Sequence, residues 1–142
     1  MKKIKLFVEH QYDFELLGLV APHKDYKMAW LLNQYMGMKL VKSDDFILDF
    51  IESPKMEISR YMEEKEHGFV QLLKNKSLSP SPNGTYLVPE LKIMDYFLLL
   101  QDHTCQLDII AYIERLSQVK LIQNVVKLDI SKIKSRENLL TY

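Results

Sequence analysis

Apolar and polar positions alternate over residues 14–20: Phe14, Leu16, Gly18 and Val20 point one way, Glu15, Leu17 and Leu19 the other. That period predicts a strand, half buried or better. Pro22 ends it. Asp25 can cap a helix over 26–36, with Gly37 where a left-handed closing residue is expected. On that helix Lys27 and Gln34 mark a wet face. Tyr26, Ala29, Trp30 and Asn33 share one side, and Met28, Leu31, Leu32 and Tyr35 fill most of the rest. A helix this apolar packs on something large, most simply a sheet. Residues 45–51 predict a second strand with Phe46, Leu48 and Phe50 on one face, and two more strands follow over 56–62 and 68–74. Glu63-Glu64-Lys65-Glu66 forms a solvated connection between those two, with Gly68 just beyond. The Ser- and Pro-rich stretch 77–86, with its Asn83-Gly84 turn, is a long surface loop within one domain.

Beyond Pro89 two patterns compete. Proline suits the first turn of a helix opening at Glu90. Against this, Leu91, Ile93, Phe97 and Leu99 alternate with Lys92, Met94, Tyr96, Leu98 and Leu100, which favours a strand over 91–99 buried on both faces. Asp102 or Thr104 then starts a second helix, with Leu107, Ile110 and Ala111 at helical spacing and Glu114 and Arg115 outward. Residues 119–128 read as a last strand, Asp129 caps a short turn, and 129–142 form a C-terminal tail. The order strand, helix, four strands, helix, strand predicts a single α+β domain over 1–142. It is a two-layer, mostly antiparallel sheet of about six strands, with two main helices covering one face.

Composition narrows the class. The chain has 142 residues, 19 basic and 19 acidic side chains, and one cysteine, Cys105. A balanced charge argues against a dedicated nucleic-acid or membrane-surface protein, and a lone cysteine excludes a disulfide framework. The run after Lys2, Lys3 and Lys5 is only Leu6-Phe7-Val8, where a secretory signal needs about 7–15 apolar residues. Tyr96–Leu100 is the longest apolar run, well short of the roughly 20 residues of a membrane span. The expected location is the cytoplasm.

Common enzyme signatures are missing. Four glycines, at 18, 37, 68 and 84, form neither a phosphate loop nor a dinucleotide fingerprint. His10, His23, His67 and His103 are far apart at predicted element ends, so no metal and no cofactor are expected. Cys105 lies near the predicted second helix N-terminus, where the dipole can lower a thiol pKa, but a plain buried or half-buried thiol is the favoured reading. Asp95 stands out, as a carboxylate on a predicted apolar face must be paired or protonated. It is either an acid in a pocket or a structural acceptor for a helix N-terminus, Tyr26, Trp30 or Asn33, and the structural reading is favoured, with Asn33 the natural partner. Glu90, five residues earlier, faces away from it on a strand.

The run Val88-Pro89-Glu90-Leu91-Lys92-Ile93-Met94-Asp95-Tyr96 resembles the signature of the bacterial IPExxxVDY family, with Val88 for Ile and Met94 for Val. Phe14-Glu15-Leu16-Leu17-Gly18, Tyr26-x-x-x-Trp30-x-x-Asn33 and Lys134-Ser135-Arg136-Glu137-Asn138-Leu139 are similar to the family as well. The resemblance implies a bacterial intracellular protein. The family has no established activity, so no catalytic residue is carried over.

Three functional expectations follow. The first is a non-enzymatic adaptor or regulator that binds a cytoplasmic protein, with homo-oligomerisation left open. The second is a small-molecule-binding domain or enzyme with a pocket around Asp95, drawing on Glu90, Tyr96, Tyr26, Trp30 and Asn33. The third, disfavoured, is contact with RNA through Lys127, Lys132, Lys134 and Arg136. Residues 115–142 hold six basic and two acidic side chains, whereas 39–66 hold eight acidic and five basic.

Overall fold

The computed structural model describes residues 14–48, 56–78 and 86–139. His10, Phe50 and most of the 77–86 loop lie outside them. The strands are β1 (Glu15–Val20), β2 (Val41–Leu48), β3 (Met56–Lys65), β4 (Gly68–Lys74), β5 (Tyr96–Asp102) and β6 (Asn124–Leu128). The helices are α1 (Asp25–Met36) and α2 (Ile109–Ser117). They form one α+β unit: a six-stranded sheet in the order β2-β3-β4-β5-β1-β6, antiparallel at every junction.

The alternation read in β1 is realised. Leu17 and Leu19 join a core under the helices with Met28, Leu31, Leu32, Leu98 and Leu116, and Leu16 joins a second core on the opposite face. Among the described residues neither α1 nor α2 lies on that opposite face. It is covered by short 3-10 turns, Pro89–Leu91, Ile130–Lys132 and Arg136–Leu139, which bury Val88, Met94, Ile133 and Leu139 against Phe97 and Leu99. Burying both faces explains why β5 reads as an unbroken apolar run.

Several boundaries differ from expectation. Residues 91–95 are not strand. Pro89 opens a 3-10 turn, Leu91 N–H donates to Val88 O and Met94 N–H to Leu91 O, each at 3.0 Å, and the ladder starts only at Tyr96. Proline lacks the donor a ladder needs, and Ile93, expected on the buried face, is 70% exposed. The apolar alternation there mixes two turn residues that pack, Leu91 and Met94, with one that does not. The second helix does not start at Asp102 or Thr104. Asp102 Oδ1 accepts from Thr104 N–H at 2.9 Å and closes a turn, and α2 is capped six residues later, where Asp108 Oδ1 accepts from Ala111 N–H at 3.2 Å. The inward face of α2 is therefore Ile109, Tyr112, Ile113 and Leu116, while Ile110 and Ala111 are exposed. Cys105 sits in the intervening turn at φ 58°, exposed, rather than at a helix end. Residues 119–123 are a turn whose Val119 and Ile122 are buried, so the last strand is only 124–128. Asp25 is the first helical residue and Lys24 holds the cap position. Asp25 Oδ1 accepts from Tyr26 N–H at 2.9 Å, and Oδ2 accepts from the Ser59 hydroxyl. Glu63–Lys65 extend β3, leaving Glu66 and His67 as a tight connection.

Among the described residues two glycines hold positive φ. Gly37 closes α1 at φ 68°, with nothing within 4 Å of a would-be Cβ. Gly68 opens β4 at φ 156°, and a Cβ there would meet Gln101 O at 1.9 Å. Gly37→Ala is expected to cost about 1 kcal/mol from backbone strain alone. Gly68→Ala, which must also displace β5 backbone, is expected to cost about 3 kcal/mol or more. Urea denaturation of the two variants measures both, and equal losses would show that the β4–β5 contact yields easily.

Candidate functional site

Around β5's start, one buried side chain organises the chain. Asn75, 1% exposed, follows β4. Its Nδ2 donates to Leu91 O and Met94 O at 2.9 Å each, and its Oδ1 accepts from Val88 N–H at 2.9 Å. Its backbone N–H donates to Asp95 O at 3.0 Å, and its carbonyl accepts from Leu87 N–H at 2.6 Å. An amide can do this because it carries two donors and an acceptor on one planar group. The turn it holds seats Met94 against β1: a Cβ on Gly18 would lie 2.6 Å from Met94 Sδ.

Asp95 and Tyr96 complete the clasp. Asp95 Oδ2 accepts from Ala21 N–H at 2.8 Å, and Asp95 N–H donates to Leu19 O at 2.9 Å, tying the turn to the end of β1. This is the structural role favoured for Asp95, with a different partner. Asn33 serves Leu40 instead, its Oδ1 accepting from Leu40 N–H at 2.8 Å and its Nδ2 donating to Leu40 O at 3.0 Å. Asp95 is half-buried, without Ile93 beside it on an apolar face. The Tyr96 hydroxyl donates to His23 O. Burial first, then the Asp25 and Asp95 carboxylates, push its pKa well above the usual phenol range.

Glu90 faces the other way, towards the C-terminal segment. Its Oε2 accepts from Ser135 N–H at 2.8 Å and its Oε1 from the Ser135 hydroxyl at 2.7 Å. Desolvation raises its pKa, but hydrogen bonds from Ser135 and the adjoining backbone outweigh this and lower it from the usual carboxylate range. Asn138 Nδ2 donates to Leu87 O at 2.9 Å. Residues 129–139 are thus a folded cover, not a loose arm. Of the basic residues read there, Lys127 lies 3.9 Å from Glu15, Arg136 Nη1 donates to Ile133 O at 3.2 Å, and Lys132 and Lys134 are exposed. The histidines stay apart in role: His23 Nε2 lies 2.8 Å from Leu121 O, while His67 O accepts from His103 N–H at 2.7 Å. No group of three His, Cys, Asp or Glu side chains suited to a metal occurs among the described residues.

Two surface features lie close to this clasp. Tyr26 and Trp30, expected to face Asp95, stand one turn apart on the outer face of α1, 62% and 56% exposed. Beside the N-terminal end of α1 lies a concave depression of about 440 Å³, lined by Lys24, Lys74, Lys76, Tyr86, Lys92 and Asp95 among others. Asp95 thus does reach a pocket, although Glu90, Tyr26, Trp30 and Asn33 do not line it. The sequence reading missed Asn75, Ser135 and the lysine cluster. An Asn directly after an apolar strand was the available signal, since Asx side chains commonly close turns.

Among the described residues no helix is long and apolar enough to cross a membrane. The chain matches no protein-family model, no curated protein and no solved structure.

Asn75→Ala would strip partners from Val88 N–H, Leu91 O and Met94 O, and is expected to cost about 3 kcal/mol or more. Asp95→Ala, which frees one backbone donor, should cost about 1–3 kcal/mol; chemical denaturation ranks the two. Glu90's pKa is lowered on folding, so its contribution is present above the unfolded carboxyl pKa and is lost as pH falls through the folded one. Melting at pH 6 and pH 3 should therefore show a smaller acid-induced drop for Glu90→Gln than for the natural sequence.

Proposed function

We propose that this chain is a non-enzymatic protein-interaction domain of the bacterial cytoplasm, an adaptor or regulator, and a member of the IPExxxVDY family. The observation that carries the docking role is the outer face of α1. Tyr26 and Trp30 are more than half exposed and adjacent at i,i+4, while Met28, Leu31 and Leu32 of the same helix are sealed in the core. Exposing a Trp and a Tyr together leaves a large apolar area in water, and these residue types dominate interface hot spots when a partner covers them.

Charge selects the partner. Lys24 and Lys27 flank the aromatic pair and are exposed. The neighbouring acid, Asp25, is engaged by Ser59 and by the Tyr26 N–H. The face is therefore aromatic with a basic rim, which suits an acidic protein surface that supplies an apolar anchor between Tyr26 and Trp30. The polar groups of the 88–96 segment support a binding role over chemistry at that segment. Glu90, Asp95 and the Tyr96 hydroxyl are each committed to backbone partners or to Ser135.

Trp30→Ala removes a side chain outside both cores, so its melting temperature should match that of the natural sequence. Tagged protein should capture a stoichiometric acidic partner from bacterial cytoplasm at moderate salt, and Trp30→Ala should lose it. Equal capture by both proteins, or no partner for either, would overturn the docking role.

A further inference from the structure

The depression beside α1 has a composition at odds with the chain's balanced charge. Among the described residues its lining includes four lysines, Lys24, Lys74, Lys76 and Lys92, and one acidic residue, Asp95. One oxygen of that carboxylate already accepts from Ala21 N–H. Asp25 lies near enough to influence Tyr96 and adds a second carboxylate near the rim, where it accepts from Ser59 and the Tyr26 N–H. Among the described residues none of the four lysines forms an ion pair; the pairs present involve Lys42, His67 and Lys127.

The cluster is also held in place. Lys74 sits opposite Tyr96 in the β4–β5 ladder, and Lys76 is bridged to Tyr86. Between them Asn75 binds the turn that carries Lys92, whose ammonium lies 5.7 Å from the centre of the Tyr86 ring. Three of the four lysines are thus carried on one backbone frame held by main-chain pairing and one buried amide. Like charges gathered round a concave site repel each other, and the site raises the local concentration of anions.

We infer that this depression binds a small molecule bearing two or more linked phosphate groups. Its volume falls in the range of small-ligand sites. Lysine is a compact point charge with rotatable donors, suited to tetrahedral phosphate oxygens, and the wall contains no arginine fork of the kind that selects a planar carboxylate. Several ammonium groups around one cavity match a multivalent anion better than a single charge. The inference goes beyond the docking role on α1 and shares only Lys24 with it, since neither Tyr26 nor Trp30 lines the depression.

Isothermal titration of the full chain with inorganic tripolyphosphate, at low and moderate salt, tests it. Saturable one-to-one binding is expected, weakening with salt as screening predicts, with orthophosphate weaker by about tenfold or more. Lys74→Ala/Lys76→Ala should lose about tenfold in affinity with an unchanged melting temperature. The remote pair Lys39→Ala/Lys120→Ala should bind like the natural sequence. Adding ATP as a second titrant identifies the source of the phosphates: tighter binding than tripolyphosphate points to a nucleotide, equal or weaker binding to the phosphate chain alone. Absence of saturable heat at millimolar tripolyphosphate, or equal losses in the cleft and remote variants, would overturn the assignment. Trp30→Ala should leave this titration unchanged, so failure here and failure of the docking role are separable.

Discussion

Five hydrogen bonds converge on Asn75, and the arrangement of the sheet's second face depends on them. A six-stranded sheet buried on one side by two helices still presents Leu16, Phe97 and Leu99 on the other. Short turns must cover that apolar surface, and turns expose backbone donors and acceptors that cannot be left dry. One amide side chain meets this need for Val88, Leu91 and Met94 at once. Aspartate in its place would lack the donors, and an aliphatic residue would lack every partner. The turn then delivers Met94 onto the space left by Gly18 and sets Asp95 against the end of β1.

The same clasp links the two chain ends of the fold. Asp95 reaches Ala21, just after β1, while Glu90 and Leu87 receive Ser135 and Asn138 from the last segment. Residues far apart in sequence are therefore fastened through one ten-residue stretch, and Ile133 and Leu139 are buried as a result. Basic residues that look like a solvated tail in the sequence belong to a cover of the core. Glu90, Asp95 and the Tyr96 hydroxyl of the 88–96 run are engaged in fastening. What the clasp leaves outside is the aromatic face of α1 and the lysines around the depression beside it.

Much of this was legible beforehand where a period of two or an apolar helical face ran unopposed. β1, α1 with Gly37 at its end, and β4 were read closely because burial there follows the simplest patterns. The reading failed where local chemistry overrode periodicity. Leu91 to Met94 alternate like a strand, yet Pro89 and Asn75 fold them into turns. Leu107, Ile110 and Ala111 are spaced like a helix, but the Asp102 turn and the Asp108 cap delay α2 and rotate its buried face. Asp95 was recognised as needing a partner, while the partner itself, a backbone N–H on Ala21, has no sequence signature.

The sequence by itself determined the element types, the α+β class and the apolar residues available for a core, because propensity and period act over a few neighbouring residues. It also placed a carboxylate at 95 and aromatics at 26 and 30. Only the tertiary structure decided which polar groups are spent on the fold and which face water. Tyr26 and Trp30 are exposed because Met28, Leu31 and Leu32 take the sheet-facing side of α1. Lys24, Lys74, Lys76 and Lys92 share one depression because strand register and the Asn75 amide bring four separate positions together. Such convergence is set by long-range pairing, and no local pattern encodes it.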